Sequence, residues 1–224
     1  MAAPFISGIP GIVSFCRRER PQWPATLSVL AGICFGLLMV GLCFPQIIWG
    51  SGGAHNAAPR ASAKNDTTQL VTAIKQFYTD YGYYPCNETS GGDENDYFAT
   101  GRAAQAKVVN ILRAWTIDAD AAKYNTRDTI YLDVPNAKNP SNPKSGIGPD
   151  GVWYDPWGNP YLIRIDSNNK GEVLNPYSAN AGDATLKVGV IVWSLGPDGK
   201  GATSATGNGD KNAGANLDDV LSWQ

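Results

Sequence analysis

Leu27 to Trp49 reads LSVLAGICFGLLMVGLCFPQIIW, with no charged residue, and this run limits what the chain can be. Its length suits a bilayer core of ~30 Å. Arg17, Arg18 and Arg20 precede it, which places residues 1–26 on the cytoplasmic side and residues 50–224 outside the inner membrane. A cleaved secretory signal is the rival, but its apolar region is usually roughly 7 to 15 residues long and close to the start. A buried core helix is the third option, and the glycines and missing polar face weigh against it. The expectation is a single-pass transmembrane helix over 27–49. A small-residue linker comes next over 50–62, and then a globular domain over 63–224.

Four cysteines are present, and only Cys86 lies beyond the apolar run. One thiol makes no internal disulfide, so the domain must be held by its core or by a metal. Cys86 reads as a semi-buried small side chain. The chain is 17% charged with a net charge of -2, and Lys and Arg are scattered, which speaks against nucleic acid as a partner.

Two amphipathic helices and a set of short strands are legible. In 63–82, Leu70, Ile74, Phe77, Tyr78 and Tyr81 share one face, with Asp66 or Thr67 as the cap and Gly82 as the stop. In 102–115, Val108, Ile111, Leu112 and Trp115 turn inward. Strands are expected at 130–132, 152–154, 161–165 and 188–193, with turns at 155–160 and 167–171. Helix, helix, small antiparallel sheet and long C-terminal loop make an α+β layered domain.

Catalytic motifs are weak. Gly146 to Gly151 (GIGPDG) matches G-x-G-x-x-G but precedes a strand instead of opening a helix. Ser141 and Lys144 match S-x-x-K without partner motifs. His55 is the only histidine and falls in the linker, so a Ser/His/Asp set would need it to fold back. Asp118 and Asp120 have helix-surface spacing and no catalytic context. No enzyme is expected. The remaining candidate is the acidic C-terminus. Asp198 lies in a Gly-Pro-Asp-Gly turn, Asp218 and Asp219 close the far end of the loop, and Asp210 lies between. Carboxylates and carbonyls are what a hard cation such as Ca²⁺ takes as ligands, although no EF-hand run is present. By the residues alone, a solvated Asp-Gly loop is as good a reading.

Three ordered segments carry a resemblance: AKNDTTQLVTAIKQFYTDYGYYP (63–85), DPWGNPYLIRID (155–166), and WSLGPDGKG (193–201) with a terminal DDVLSW. Together they resemble the major (G-type) pseudopilins of type II secretion systems, in a long-loop variant. The resemblance implies a pilin-like α+β fold, with the N-terminal helix packed on a small sheet. It implies a fibre subunit that supports protein secretion across the outer membrane, with its C-terminal domain in the periplasm or at the cell surface. Its partners would be copies of itself, other pseudopilins and an inner-membrane assembly platform. It also implies Ca²⁺ in the C-terminal loop, held by Asp198, Asp218 and Asp219 with the Leu195 backbone carbonyl; Asp210 falls in an insertion and is a candidate only. The family's N-terminal pattern is a basic leader, a Gly, and a Glu at the fifth mature position. Leu27 to Trp49 contains no Glu, as an upstream reading-frame error would leave it. The alternative is a membrane-anchored calcium-binding module that never polymerises.

Overall fold

The computed structural model describes residues 51–86, 97–99, 101–115, 117–201 and 209–224. The basic segment and the apolar run lie outside these residues. Among the described residues, no helix is long and apolar enough to cross a membrane.

Helix α1 covers Ser51–Tyr81. It starts earlier than its apolar stripe, so the segment read as a linker is helical from Ser51 onward. Pro59 lies inside it. Its buried positions are Ala63, Thr67, Leu70, Ala73, Ile74 and Phe77, spaced three and four apart along one stripe. Asp66 and Thr67 are therefore mid-helix and do not cap it. The Thr67 hydroxyl donates to the Lys64 carbonyl at 2.8 Å, and Asp66 accepts from the Tyr161 hydroxyl at 2.7 Å. The helix stops where expected, with the Gly82 N–H donating to the Tyr78 carbonyl.

Strand β1 (Tyr97–Ala99), helix α2 (Arg102–Leu112) and helix α3 (Ala119–Tyr124) come next. Asp118 caps α3 by accepting from the Asp120 and Ala121 N–H groups. α2 buries Val108, Ile111 and Leu112 as its pattern requires, but Trp115 falls beyond its end and is 42% exposed. Residues 130–132 form no strand. Tyr131 and Leu132 instead donate their N–H groups to the Leu112 carbonyl, and Ile130 stays exposed.

The remaining elements are β2 (Gly146–Ile147), β3 (Trp153–Tyr154), β4 (Leu162–Ile165), β5 (Val173–Leu174), β6 (Thr185–Leu186), β7 (Val190–Ser194), a 3₁₀ helix (Gly214–Asp218) and β8 (Val220–Leu221). The main sheet is antiparallel in the order β1-β4-β7-β8, and β2–β3 and β5–β6 form separate hairpins. The C-terminal segment is therefore the sheet's edge strand and not only a loop.

Alternation sorts the sheet's two faces. Ile163, Ile165, Val190 and Val192 meet Leu70, Ile74, Phe77, Val108 and Leu112 of the helices. Leu162, Ile191, Trp193 and Leu221 meet Val173 and Tyr177 on the other side. Both faces are covered, so β7 is buried along its whole length and reads as an apolar run over 190–193 closed by the buried Ser194.

Candidate functional site

Two turns and the C-terminal segment meet at one corner. The Asp155 carboxylate organises the first turn. Its Oδ1 accepts from the N–H groups of Trp157, Gly158 and Asn159 at 2.9, 2.8 and 2.8 Å, and its Oδ2 accepts from the Ser194 hydroxyl at 2.6 Å. Burial pushes its carboxyl above the ordinary range, and these four bonds pull it back. Ser194 Oγ in turn accepts from the Gly196 N–H, and Asn159 Nδ2 donates to the Gly196 carbonyl at 2.7 Å. The D-P-W-G-N turn thus buttresses the G-P-D-G turn, which explains why the two motifs occur together.

Asp198 and Asp218 are joined directly: the Asp198 N–H donates to Asp218 Oδ2 at 3.3 Å. The Asp198 carboxylate accepts from the Lys200 N–H at 2.8 Å. Gly196 makes room for this approach. It has φ +64°, and a Cβ there would sit 2.6 Å from the Asp218 carbonyl oxygen and 2.8 Å from its carboxylate. The Leu195 side chain is buried with Trp193 and Leu221, which fixes the start of the turn.

Asp219 is oriented differently. It is 2% exposed, its Oδ2 accepts from the Tyr177 hydroxyl, and its Oδ1 is buried without a hydrogen-bond partner. Burial above all, then the nearby Asp218 and Asp198 charges, raise its pKa from 3.8 to about 7, with Tyr177 and Lys211 opposing. Asp210 bonds elsewhere: its carboxylate accepts from Asn180 Nδ2 and the Asn212 N–H, which lowers its pKa.

Lys211 carries no motif, and sequence reasoning does not find it. It is 8% exposed, and its ammonium donates to the Asn216 and Leu217 carbonyls at 2.8 and 3.2 Å. Burial, and secondarily Arg60, depress its pKa, while Asp219 and Asp218 raise it. A fixed cation therefore lies inside the loop beside the buried carboxylate. The one signal in the sequence is a long side chain in a loop that otherwise has little to bury.

For a divalent cation, the arrangement supplies an orphaned carboxylate oxygen on Asp219 and the Asp198–Asp218 pair. Among the described residues, however, no three His, Cys, Asp or Glu side chains are grouped to hold a metal ion. Residues 202–208, in the middle of the loop, lie outside the described residues.

The other motifs have structural roles. GIGPDG forms β2 and the turn into β3. Asp118 is a helix cap, and Asp120 pairs with Lys107 at 3.4 Å. The Cys86 thiol is free, and burial raises its pKa to about 12. Comparison with family models, with curated proteins and with solved structures gives no match.

Proposed function

We propose that this chain is a structural subunit of a type II secretion pseudopilus or a related type IV pilus-like fibre, with a pilin-like fold. The observation that carries this reading is α1. Residues 63–77 bury one stripe on the sheet, whereas Ala57, Ala58, Arg60, Ala61 and Ser62 of the same helix remain exposed. A long helix half committed to its own domain leaves its other half to pack against neighbours. The sequence upstream offers the apolar run as a membrane anchor and, in a fibre, as the bundle's core. Gly32, Gly36 and Gly41 would let such helices approach closely. The chain is not an enzyme on this reading.

Calcium belongs to the proposal. Asp198 and Asp218, with the Leu195 carbonyl and Asp219, would hold the ion, whose charge would tie the two ends of the loop.

The test is to express the full chain with an assembly ATPase, a platform protein and a leader peptidase, then image sheared surface material by electron microscopy. Filaments labelled by an antibody to the C-terminal domain are expected. The absence of filaments, with the chain remaining as single membrane-bound copies, favours the second reading. That reading is a non-polymerising, membrane-anchored calcium-binding module, and the lack of Glu in Leu27 to Trp49 is the feature that supports it.

A further inference from the structure

We propose that the pocket between α1 and the C-terminal segment is an anion site that takes a phosphate group, carried by a lipid headgroup or by a free phosphate ester. The pocket has a volume of about 330 Å³. Small-molecule sites start at about 300 Å³. Arg60, Ala61 and Lys64 line it from α1, and Lys211, Val220 and Leu221 line it from the C-terminal segment.

Three features define what the pocket asks of an occupant. The first is convergent positive charge. Arg60 and Lys64 are four residues apart and share one face of α1. Lys211 brings a third cation from the loop, and the field of Arg60 reaches it. The second feature is that both ammonium groups are pinned. Lys64 Nζ donates to the Leu221 carbonyl at 2.6 Å and to the Gln224 carbonyl. Lys211 Nζ donates to the Asn216 and Leu217 carbonyls. Backbone carbonyls are neutral, so these bonds position the charges without cancelling them. An ammonium has three N–H groups, so each lysine keeps one to give. A pinned cation also loses less freedom on binding than a mobile surface lysine. The third feature is a cation without a carboxylate. Arg60 is exposed and takes part in neither ion pair found among the described residues.

An occupant must therefore be anionic and accept hydrogen bonds from more than one direction. A tetrahedral phosphate presents its oxygens that way, whereas a carboxylate presents two in one plane. The guanidinium fork of Arg60 matches a phosphate edge. Asp219 also lines the pocket, but its Oδ2 accepts from Tyr177 and its Oδ1 is buried. It opposes an anion through its field, one negative charge against three positive. Ala61, Val220 and Leu221 add an apolar lining, which suits the carbon skeleton of an ester. Arg60 also lies on the part of α1 nearest in sequence to the apolar run, so a lipid headgroup is a source to test beside a soluble one.

The test uses the full chain dispersed in a maltoside detergent with chelator present, so it depends neither on filament assembly nor on calcium. Inorganic phosphate, glycerol 3-phosphate and a short-chain phosphatidylglycerol are titrated separately at fixed ionic strength, with acetate as the control anion. Phosphorus NMR line widths and the melting temperature are the readouts. At least one phosphate compound should give a saturable response in the millimolar range, and acetate should give none. Arg60→Gln should weaken the response roughly fivefold or more, and Arg60→Lys should retain most of it. Lys75→Gln removes the same charge from an exposed position farther along α1 and should change nothing. Arg60 is exposed, so its variants should melt like the parent without ligand; if one does not, the line widths decide. Phosphatidylglycerol binding tighter than both soluble compounds assigns the site to a headgroup, and equal binding assigns it to a free ester. No saturable response to any of the three overturns the proposal. So does a response that acetate matches, or one that Arg60→Gln leaves unchanged. Any of these failures leaves the fibre and calcium readings standing.

Discussion

The helix-facing side of the sheet and the C-terminal corner close the same domain by opposite means. On the first, α1 lays Leu70, Ile74 and Phe77, all fully buried, on Ile163, Ile165, Val190 and Val192. On the second, the stretch from Gly199 to Asp219 has one large apolar residue, Leu217, and that residue is 56% exposed. What the corner buries instead is Lys211 and Asp219. Apolar contact is non-directional and indifferent to pH and metal. Ordering a loop without it has to be offset by directed bonds and charge. Damage to the first region should therefore be global and insensitive to solution conditions. Damage to the second should be smaller and should depend on protons and cations.

The largest effect should come from Phe77→Asp. Phe77 stacks on Tyr81 and meets Tyr83 and Tyr131 edge-on, so its ring is enclosed by other rings. A charge buried here should cost several kcal/mol, enough to unfold a marginally stable domain. Circular dichroism of the full chain should show no cooperative melt at any pH or calcium level. An unchanged melt would show that this face is not the core. Next is Asp155→Ala, which leaves three N–H groups and the Ser194 hydroxyl without their acceptor. The expected loss is on the order of 3 kcal/mol by denaturant titration in chelator. Ser194→Ala, which removes one of those bonds, should lose less.

These two sites also mark what is legible in a sequence. The α1 stripe is legible because period and burial coincide, and Phe77 lies where the spacing puts it. The D-P-W-G-N turn is legible as a turn, because an Asp followed by Pro and Gly bonds to its own backbone. That its carboxylate also reaches Ser194, 39 residues on, is not legible, since nothing local encodes it. The same applies to Gln105, whose amide pairs with both the N–H and the carbonyl of Trp153 like a strand partner. Trp115 continues the α2 spacing and so reads as inward, but the helix ends at Leu112 and the period ends with it. Two-residue strands such as β2, β5 and β8 carry too few positions for any alternation to register. At the corner, the acids are visible as acids, whereas Lys211 is not visible as their counter-ion.

Calcium sharpens the contrast at the next scale. If the corner takes the ion, a hundredfold excess over Kd should stabilise the full chain by about 2.7 kcal/mol. Asp198→Ala and Asp218→Ala should each abolish that gain, and Asp93→Ala, in the separate acidic stretch GGDEND over 91–96, should leave it intact. Equal melting temperatures in calcium and in chelator would remove the metal from this corner. Lys211→Met separates the built-in cation from the added one. It keeps the buried stem and loses the bonds to the Asn216 and Leu217 carbonyls. In chelator it should cost about 1 to 2 kcal/mol. If the ammonium and calcium serve the same loop, part of that loss should return on adding calcium. A variant that melts like the parent in chelator would show that Lys211 holds nothing.

The last effect is the slope of stability with pH, and Asp219 should supply it. Burial is the main reason its carboxyl titrates near 7 in the folded chain in place of 3.8, and the Asp218 and Asp198 charges push the same way. The folded state then holds a proton that the unfolded state has already released. A raised carboxyl pKa favours folding below the unfolded value and loses that contribution as pH climbs through the folded value. In chelator, the parent should therefore melt progressively lower between about pH 4 and pH 7, with no further loss from this group above that. Asp219→Asn keeps the shape and removes the titration, so its melting profile should lack that fall. Tyr177→Phe removes the bond that favours the ionised form, and should extend the fall to higher pH. Phe77 lies on the far side of the sheet, so a mild change there such as Phe77→Leu should lower the whole profile without changing its shape. Parallel profiles for the parent and Asp219→Asn would mean that the corner is closed without reference to this carboxylate, and the distinction between the two regions would then rest on cations alone.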